Sequence, residues 1–402
     1  MVVCNYSVLV PEYSIMMTTT KSYNAPKKIY TWLIFFYETM NSKERVIAAL
    51  ERRTLDRVPL DLVCGGPNSA HEDLCRYFKV SNDDQLRSKL NIDIRGVGPR
   101  YVGPVDRAPG GNLGLATEFG GTEYMKCDYA RSGGIAGTYS DIVGLRPLQK
   151  CTSLKDIEDY PWPDIEWFDF SNIRTDCNKH QKYAIMFGGW TPLLSRVFEL
   201  FGMKTALINL HTRPDLIHAV IKKTTDFYYE VFDIALSNAE GGIDIAGFGD
   251  DFATQEDLMI SPNIWRSFIK EPLSRLFSLG QKHNVYIFFH SCGAVRRIIP
   301  DLIEIGLDIL FPIQPRATGM DPAELKEEFG DRLAFWGGVD VQRTLPFGTT
   351  EEVRREVRER IRILGAGGGY ILSSSHNLEK HFPLQNILAM YDEAMKVSLI
   401  SQ

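Results

Sequence analysis

The chain has 402 residues, 44% of them hydrophobic and 24% charged, an ordinary globular composition that fits one large barrel or two modest domains. Its 45 basic and 51 acidic residues give a formal charge of −6, so there is no electrostatic reason to expect nucleic acid, whose phosphates demand a concentrated basic surface. Seven cysteines, at 4, 64, 75, 127, 151, 177 and 292, include no Cys-x-x-Cys pair; a reducing compartment, the cytoplasm, is the expected location.

Residues 1–39 read as an extension ahead of the domain, either a loosely attached arm or a stretch read from an upstream start codon. Their apolar run TWLIFFY covers seven residues, against the roughly 20 a membrane-spanning helix needs, so no membrane partner is expected. Met40 opens a single domain over 40–400. SKERVIAALERR has helical spacing and stops before an Asp-Arg-Val-Pro turn. PLDLVC, 59–64, has the length of a first strand. HEDLCRYF and DDQLRSKL are short amphipathic helices. Between about 91 and 150 glycine breaks the chain into short extended pieces, a hairpin-rich excursion too small for its own core.

A strand-then-helix rhythm follows. Strands are expected over 183–189, 242–249, 285–290, 308–313, 333–338 and 369–374, each leading to a helical stretch, the longest over 214–239. With 59–64 this makes seven units, and an eighth strand is expected inside the excursion. No Gly-x-Gly-x-x-Gly follows the first strand and no Gly-x4-Gly-Lys-Ser/Thr occurs anywhere, which disfavours a nucleotide-binding wound sheet. Parallel units in this number either open into a wound sheet or close into a barrel; the fold class expected is α/β, a closed (β/α)8 TIM barrel, with the open sheet as the alternative.

In such a barrel, polar residues at the C-terminal strand ends face the active-site mouth. Asp250, Asp251, Asp340 and Gln314 stand at such ends as candidate catalytic groups; Asp61, Gln255 and Asn377 are candidates for holding a cofactor. His290 and Cys292 are two apart, which on a strand puts both on one face, and imidazole with thiolate suits zinc. Barrel closure brings His376, beyond the last strand, to the same mouth as a third ligand; His381 lies further into the turn. The plain alternatives are satisfied core residues for the pair and a helix-start hydrogen bond for His376. For the two aspartates they are a helix cap and a loop salt bridge.

The segments GDDFATQEDLMISPNIWRSFIKEP, YIFFHSCGAVRRIIPDLIEIGLDILFPIQP, FWGGVDVQRTLPFGT and GGGYILSSSHNLEKHFPLQNILAMYDEA resemble the uroporphyrinogen decarboxylase superfamily, which includes zinc methyltransferases that move methyl groups between corrinoid proteins and thiols. The resemblance spans about residues 40 to 398 and is stronger in the second half. It implies the same barrel. True uroporphyrinogen decarboxylases hold substrate carboxylates with arginines just after the first strand; here that loop is CGGPNSAHED, with no arginine before Arg76. The corrinoid-linked branch carries the His-x-Cys pair, matched by His290 and Cys292, and a distant cysteine, at whose place His376 stands. This implies a methyltransferase with zinc on His290, Cys292 and His376, a small-molecule substrate, and Asp250 and Asp251 orienting the acceptor or handling its proton. No Asp-x-His-x-x-Gly motif is present, so the corrinoid is expected on a partner protein. Family barrels often pair, which makes a homodimer a candidate assembly. A decarboxylase of a small or aromatic acid, and a barrel that binds without catalysis, are the other readings.

Overall fold

The computed structural model describes residues 40–65, 68–104 and 146–397, together with three strands near the N-terminus. The chain divides into two compact units, Met1–Asn41 and Ser42–Gln402. In the first, β1 (Asn5–Val10), β2 (Tyr13–Thr18) and β3 (Leu33–Glu38) pair antiparallel in sequence order, so the apolar run before Met40 contributes a strand. No helix among the described residues is long and apolar enough to cross a membrane.

The second unit is a curled parallel sheet surrounded by helices, a TIM-barrel-like fold. Its strands are β4 (Ile94–Val97), β7 (Ala184–Gly188), β8 (Ile245–Gly249), β9 (Tyr286–His290), β10 (Ile309–Ile313), β11 (Ala334–Val339) and β12 (Tyr370–Ser374), hydrogen-bonded in the order β12-β11-β10-β9-β8-β7-β4. Six lie within a residue or three of the spans expected from sequence. The strand expected inside the excursion is β4, so the excursion proper begins after the barrel has taken its share. Its next piece, β5 (Arg100–Tyr101), pairs antiparallel with β6 (Phe168–Asp169). The hairpins expected over 105–145 lie outside the described residues.

The expectation for 59–64 needs correction: this segment forms a single parallel bridge, Leu60 to Leu372, instead of a regular strand. It nevertheless closes the ring. The Asp61 N–H donates to the Leu372 carbonyl at 3.0 Å, Leu372 N–H to Pro59 at 2.9 Å, and Asp93 N–H to Leu60 at 2.9 Å. The Asp93 carboxylate, fully buried, accepts the Leu60 N–H at 2.8 Å and pairs with Arg45 and Arg57, each at 2.7 Å.

The same device recurs. Asp93, Asp244 and Asp308 each stand one residue before a strand, in Ile-Asp-Ile, Ile-Asp-Ile and Leu-Asp-Ile. Asp244 accepts the Ile185 N–H at 2.9 Å and Asp308 the Ile287 N–H at 2.7 Å. Each carboxylate reaches the neighbouring strand and satisfies an N–H at the sheet's lower edge, where a buried unpaired donor would cost about 1–3 kcal/mol.

Side-chain alternation splits the barrel strands into two apolar layers. Ile94, Ala184, Ile245, Phe288, Ile309, Phe311, Ala334, Trp336 and Ile371 fill the interior, and Val46 and Leu50 from the helix Ser42–Leu50 join them. Ile185, Phe187, Ala246, Phe248, Ile287 and Phe289 belong to the larger layer packed beneath the helices. Because Phe288 points inward, His290, two residues on, points inward one layer higher.

Candidate metal centre

His290 is the last residue of β9, and Ser291, Cys292 and Gly293 leave the strand directly above it. The turn is held from two sides. Asp251 Oδ1 accepts the Cys292 N–H at 2.9 Å, and Gln314 Oε1 accepts the Gly293 N–H, also at 2.9 Å. Cys292 Sγ thereby lies 3.4 Å from His290 Nε2. His376 arrives from the far end of the chain, two residues beyond β12, where Ser374 Oγ donates to its carbonyl at 2.6 Å. One ligand atom from each of His290, Cys292 and His376 lies within 4.8 Å of the others. The two imidazole rings are 6.2 Å apart at 69°.

A Cβ on Gly249 would stand 2.3 Å from the Gly189 carbonyl oxygen and 3.0 Å from His290 Cβ. Glycine at this strand end is what lets His290 and the β7 turn approach one another. Trp190, just past that turn, sets an edge against the His290 ring at 5.5 Å, and Phe311 lies at 5.2 Å. These two aromatics wall the site. In sequence they read as ordinary core residues, and only their place next to a strand-end glycine pair or a strand-end proline hints otherwise.

Burial dominates the electrostatics. It holds His290 down to about 4, and it holds His376 to about 4 with help from His290. Both imidazoles are therefore neutral near pH 7 and keep a lone pair for a cation. The Cys292 thiol is pushed well above its usual range by burial and by the Asp251 carboxylate. Burial also raises Asp251, against the Cys292 N–H and His376. Two neutral imidazoles and a thiol converging at a barrel mouth are the donor chemistry of zinc; calcium and magnesium ask for oxygen shells.

The other candidates have different employment. Asp250, expected among the catalytic groups, is 1% exposed and faces away from the cluster. Its carboxylate accepts the N–H groups of Leu193, Leu194 and Ser195 at 2.9, 2.6 and 3.0 Å, covering the start of the helix Leu194–Phe201. Burial pushes its pKa up to about 7 against those three donors. These three bonds are those of the helix-cap alternative. Gln314 bonds Gly293 and takes a second hydrogen bond from Gln255 Nε2 at 2.8 Å. Both are thus positioned to brace the Cys292 turn. Asp340 accepts the Gln342 N–H at 2.8 Å and lies 3.8 Å from Arg316; it shapes its own loop. Asp61 is buried against Arg87 at 3.2 Å. Asn377 is half-buried beside His376. His381 is half-exposed, paired with Glu379 at 3.3 Å and outside the cluster.

The family model for uroporphyrinogen decarboxylase (URO-D) matches residues 185–397, which contain every residue of the cluster. A methylcobamide:CoM methyltransferase, MtaA, of Methanosarcina barkeri is 28% identical over 363 residues, 87% of this chain and 96% of the relative. A uroporphyrinogen decarboxylase of Psychromonas ingrahamii is 23% identical over 194 residues, 46% of this chain and 50% of the relative. Among solved structures, a methyltransferase from Methanosarcina mazei superposes with a TM-score of 0.57 at 19% identity, covering 89% of this chain and 99% of its own. That likeness bears on the fold.

Proposed function

Because this chain belongs to the uroporphyrinogen decarboxylase (URO-D) family, we propose that it is a zinc-dependent methyltransferase, working with a corrinoid carried by a partner protein and with a small methylated molecule or thiol. The observation that carries this reading is the convergence of His290, Cys292 and His376 at the C-terminal mouth of the barrel. The relative that matches along nearly its whole length acts, by its name, on methylcobamide and CoM, which supports a corrinoid partner.

His290, Cys292 and His376 are the residues that would hold the metal. When bound, zinc supplies Lewis acidity that lowers the pKa of a thiol or polarises an ether oxygen. The chain's own groups do the rest. Burial keeps the two imidazoles unprotonated. Asp251 and Gln314 fix the Cys292 turn through backbone N–H groups, holding the thiol beside His290 before substrate arrives. Trp190 and Phe311 keep bulk water from the His290 side. Asp251 is the acid next to the reacting position, placed to orient an acceptor.

Elemental analysis of protein purified without added metal, compared with Cys292→Ser, tests the site. Stoichiometric zinc that is lost in the variant supports it. Methyl transfer from methylcobalamin to a small thiol, followed by the loss of methyl–cobalt absorbance, tests the activity. A zinc-free wild type that releases carbon dioxide from a small acid would favour the decarboxylase reading instead.

A further inference from the structure

We infer that Arg52 and Lys326 form a further binding site, for a small doubly charged oxyanion of the phosphate class, at the foot of the barrel on the face opposite the metal centre. The inference is independent of the metal reading above, since it uses none of the residues at the mouth.

The two side chains meet at one turn. Arg52 follows the helix Ser42–Leu50, and Lys326 lies on the helix Pro322–Phe329. Arg52 Nε donates to the Gly330 carbonyl at 3.0 Å, and Lys326 Nζ donates to the Gly368 carbonyl at 2.6 Å. A Cβ on Gly368 would stand 2.7 Å from Arg52 Cα, so glycine lets this turn close over Arg52. Gly330 and Gly368 stand just before β11 and β12, which puts the pair at the sheet's lower edge.

Positive charge is left over there. Among the described residues neither Arg52 nor Lys326 pairs with a carboxylate; their hydrogen bonds go to the main-chain carbonyls of Leu50, Gly330 and Gly368. Arg266 and Lys270, by contrast, share Asp301. The charged neighbour of Lys326 is Arg52, and burial together with that like charge holds the amine down to about 8. Arg52 Nη2 is buried and meets no acceptor among the described residues. A guanidinium donor shut away from water and left unmet is costly, and an adjacent cation adds to the cost.

An oxyanion supplies what the chain does not. Two positive charges call for two negative ones, which a phosphate group nearly carries at neutral pH, whereas a carboxylate carries one. Planar guanidinium N–H groups match phosphate oxygens, and a lysine ammonium adds a mobile point charge. Uptake draws the Lys326 stem off the Gly368 carbonyl and gives Arg52 Nη2 its missing acceptor. The turn is open at Gly367, where an added Cβ would meet nothing within 4 Å, so an ion can enter beside it.

The test titrates the full-length wild type, Arg52→Met and Lys326→Met with inorganic phosphate by calorimetry, with acetate at equal ionic strength as the singly charged comparison. Phosphate is expected to bind the wild type, and affinity to fall about tenfold or more in each variant, the scale of one hydrogen bond to a charged group; acetate should bind more weakly. A second measurement needs no variant. Mass spectrometry follows the acetylation of Lys326 by acetic anhydride near the pH where the amine titrates. A bound anion returns the proton to that amine, so phosphate should slow Lys326 and leave the exposed Lys155 unaffected. A wild type that takes up no phosphate, phosphate binding that both variants retain in full, or acetylation of Lys326 indifferent to phosphate overturns the inference. Acetate bound as tightly as phosphate overturns the assignment to a doubly charged ion.

Discussion

Asp250 and Asp251 are adjacent in the chain and serve different neighbours: Asp250 accepts three backbone N–H groups of the β7 turn and its helix, while Asp251 accepts the N–H of Cys292. Successive side chains leaving a strand point to opposite sides. One carboxylate is thereby committed to the scaffold and the other to the site.

Asp250→Ala is expected to cost stability and leave the metal site intact. It removes a helix cap and strands three buried donors, about 2–4 kcal/mol together. Chemical denaturation measures the loss. Zinc content per folded molecule should stay at the wild-type level. A variant as stable as wild type would show that the three hydrogen bonds are replaced by solvent.

Metal binding should strengthen with pH. The two histidines titrate at about 4, so above pH 6 they have no proton to lose. The Cys292 thiol, raised by burial and by Asp251, is protonated in the metal-free protein and must release its proton to become a ligand. One proton released gives a slope of about one decade in affinity per pH unit, measurable by zinc competition from pH 6 to 8. A flat profile would mean that the thiol is not a ligand; a slope near two would return one histidine to the protonated pool.

Gln314→Leu should weaken the metal site without touching it. The substitution leaves the Gly293 N–H and the Gln255 amide without their acceptor, a penalty of about 1–3 kcal/mol for a buried donor. The turn that carries Cys292 then loses one of its two anchors. Zinc affinity should fall about tenfold, the range seen for groups behind a ligand. Gln314→Glu, which keeps the acceptor oxygens, should recover the affinity.

The barrel was legible where the chemistry is local. Runs such as YAIMFGG, VYIFFHSCG and GYILSSSHN carry apolar cores and polar ends, and the strands fall where those runs lie. Ile94–Val97 is harder to place, because its four residues include Gly96 and sit among several short extended pieces broken by glycine, any of which could supply the eighth strand. The Pro59–Leu62 segment looks like a strand yet spends most of its pairing on irregular bonds to Asp93 and Leu372. Within the site, the spacing of His290 and Cys292 suggests that they meet, but Cys292 lies past the end of β9 and is brought to His290 by a turn held by Asp251 and Gln314, while His376 follows from the closure of the ring. The separate uses of Asp250 and Asp251 do not follow from sequence, since the partner of Asp250 lies 55 residues earlier, at the turn after β7. The Ile-Asp-Ile repeats were visible in the sequence, but their meaning depends on which strand lies alongside.

Removing residues 1–39 is expected to leave the barrel nearly as stable as before. Met1–Asn41 forms a compact unit of its own, and its three strands pair with one another. Thermal and chemical unfolding of the shortened chain should stay within about 2 kcal/mol of the full one, the scale of losing one buried core contact. A larger loss would mean that the extension carries part of the barrel's core.

The aspartates at 93, 244 and 308 divide the ring into quarters. Each fastens a pair of strands, 59–62 with β4, β7 with β8, and β9 with β10, by a side-chain bond at the pair's foot. The remaining quarter, β11 with β12, has Gly369 at the corresponding place before its second strand. His290 and Cys292 thus rise from a clasped quarter and His376 from the unclasped one. The β11–β12 pair is tied at its foot by backbone bonds instead, Gly369 N–H to the Ala49 carbonyl at 2.7 Å and Phe335 N–H to the Gly369 carbonyl at 2.9 Å, so the helix Ser42–Leu50 stands where the other pairs use a carboxylate.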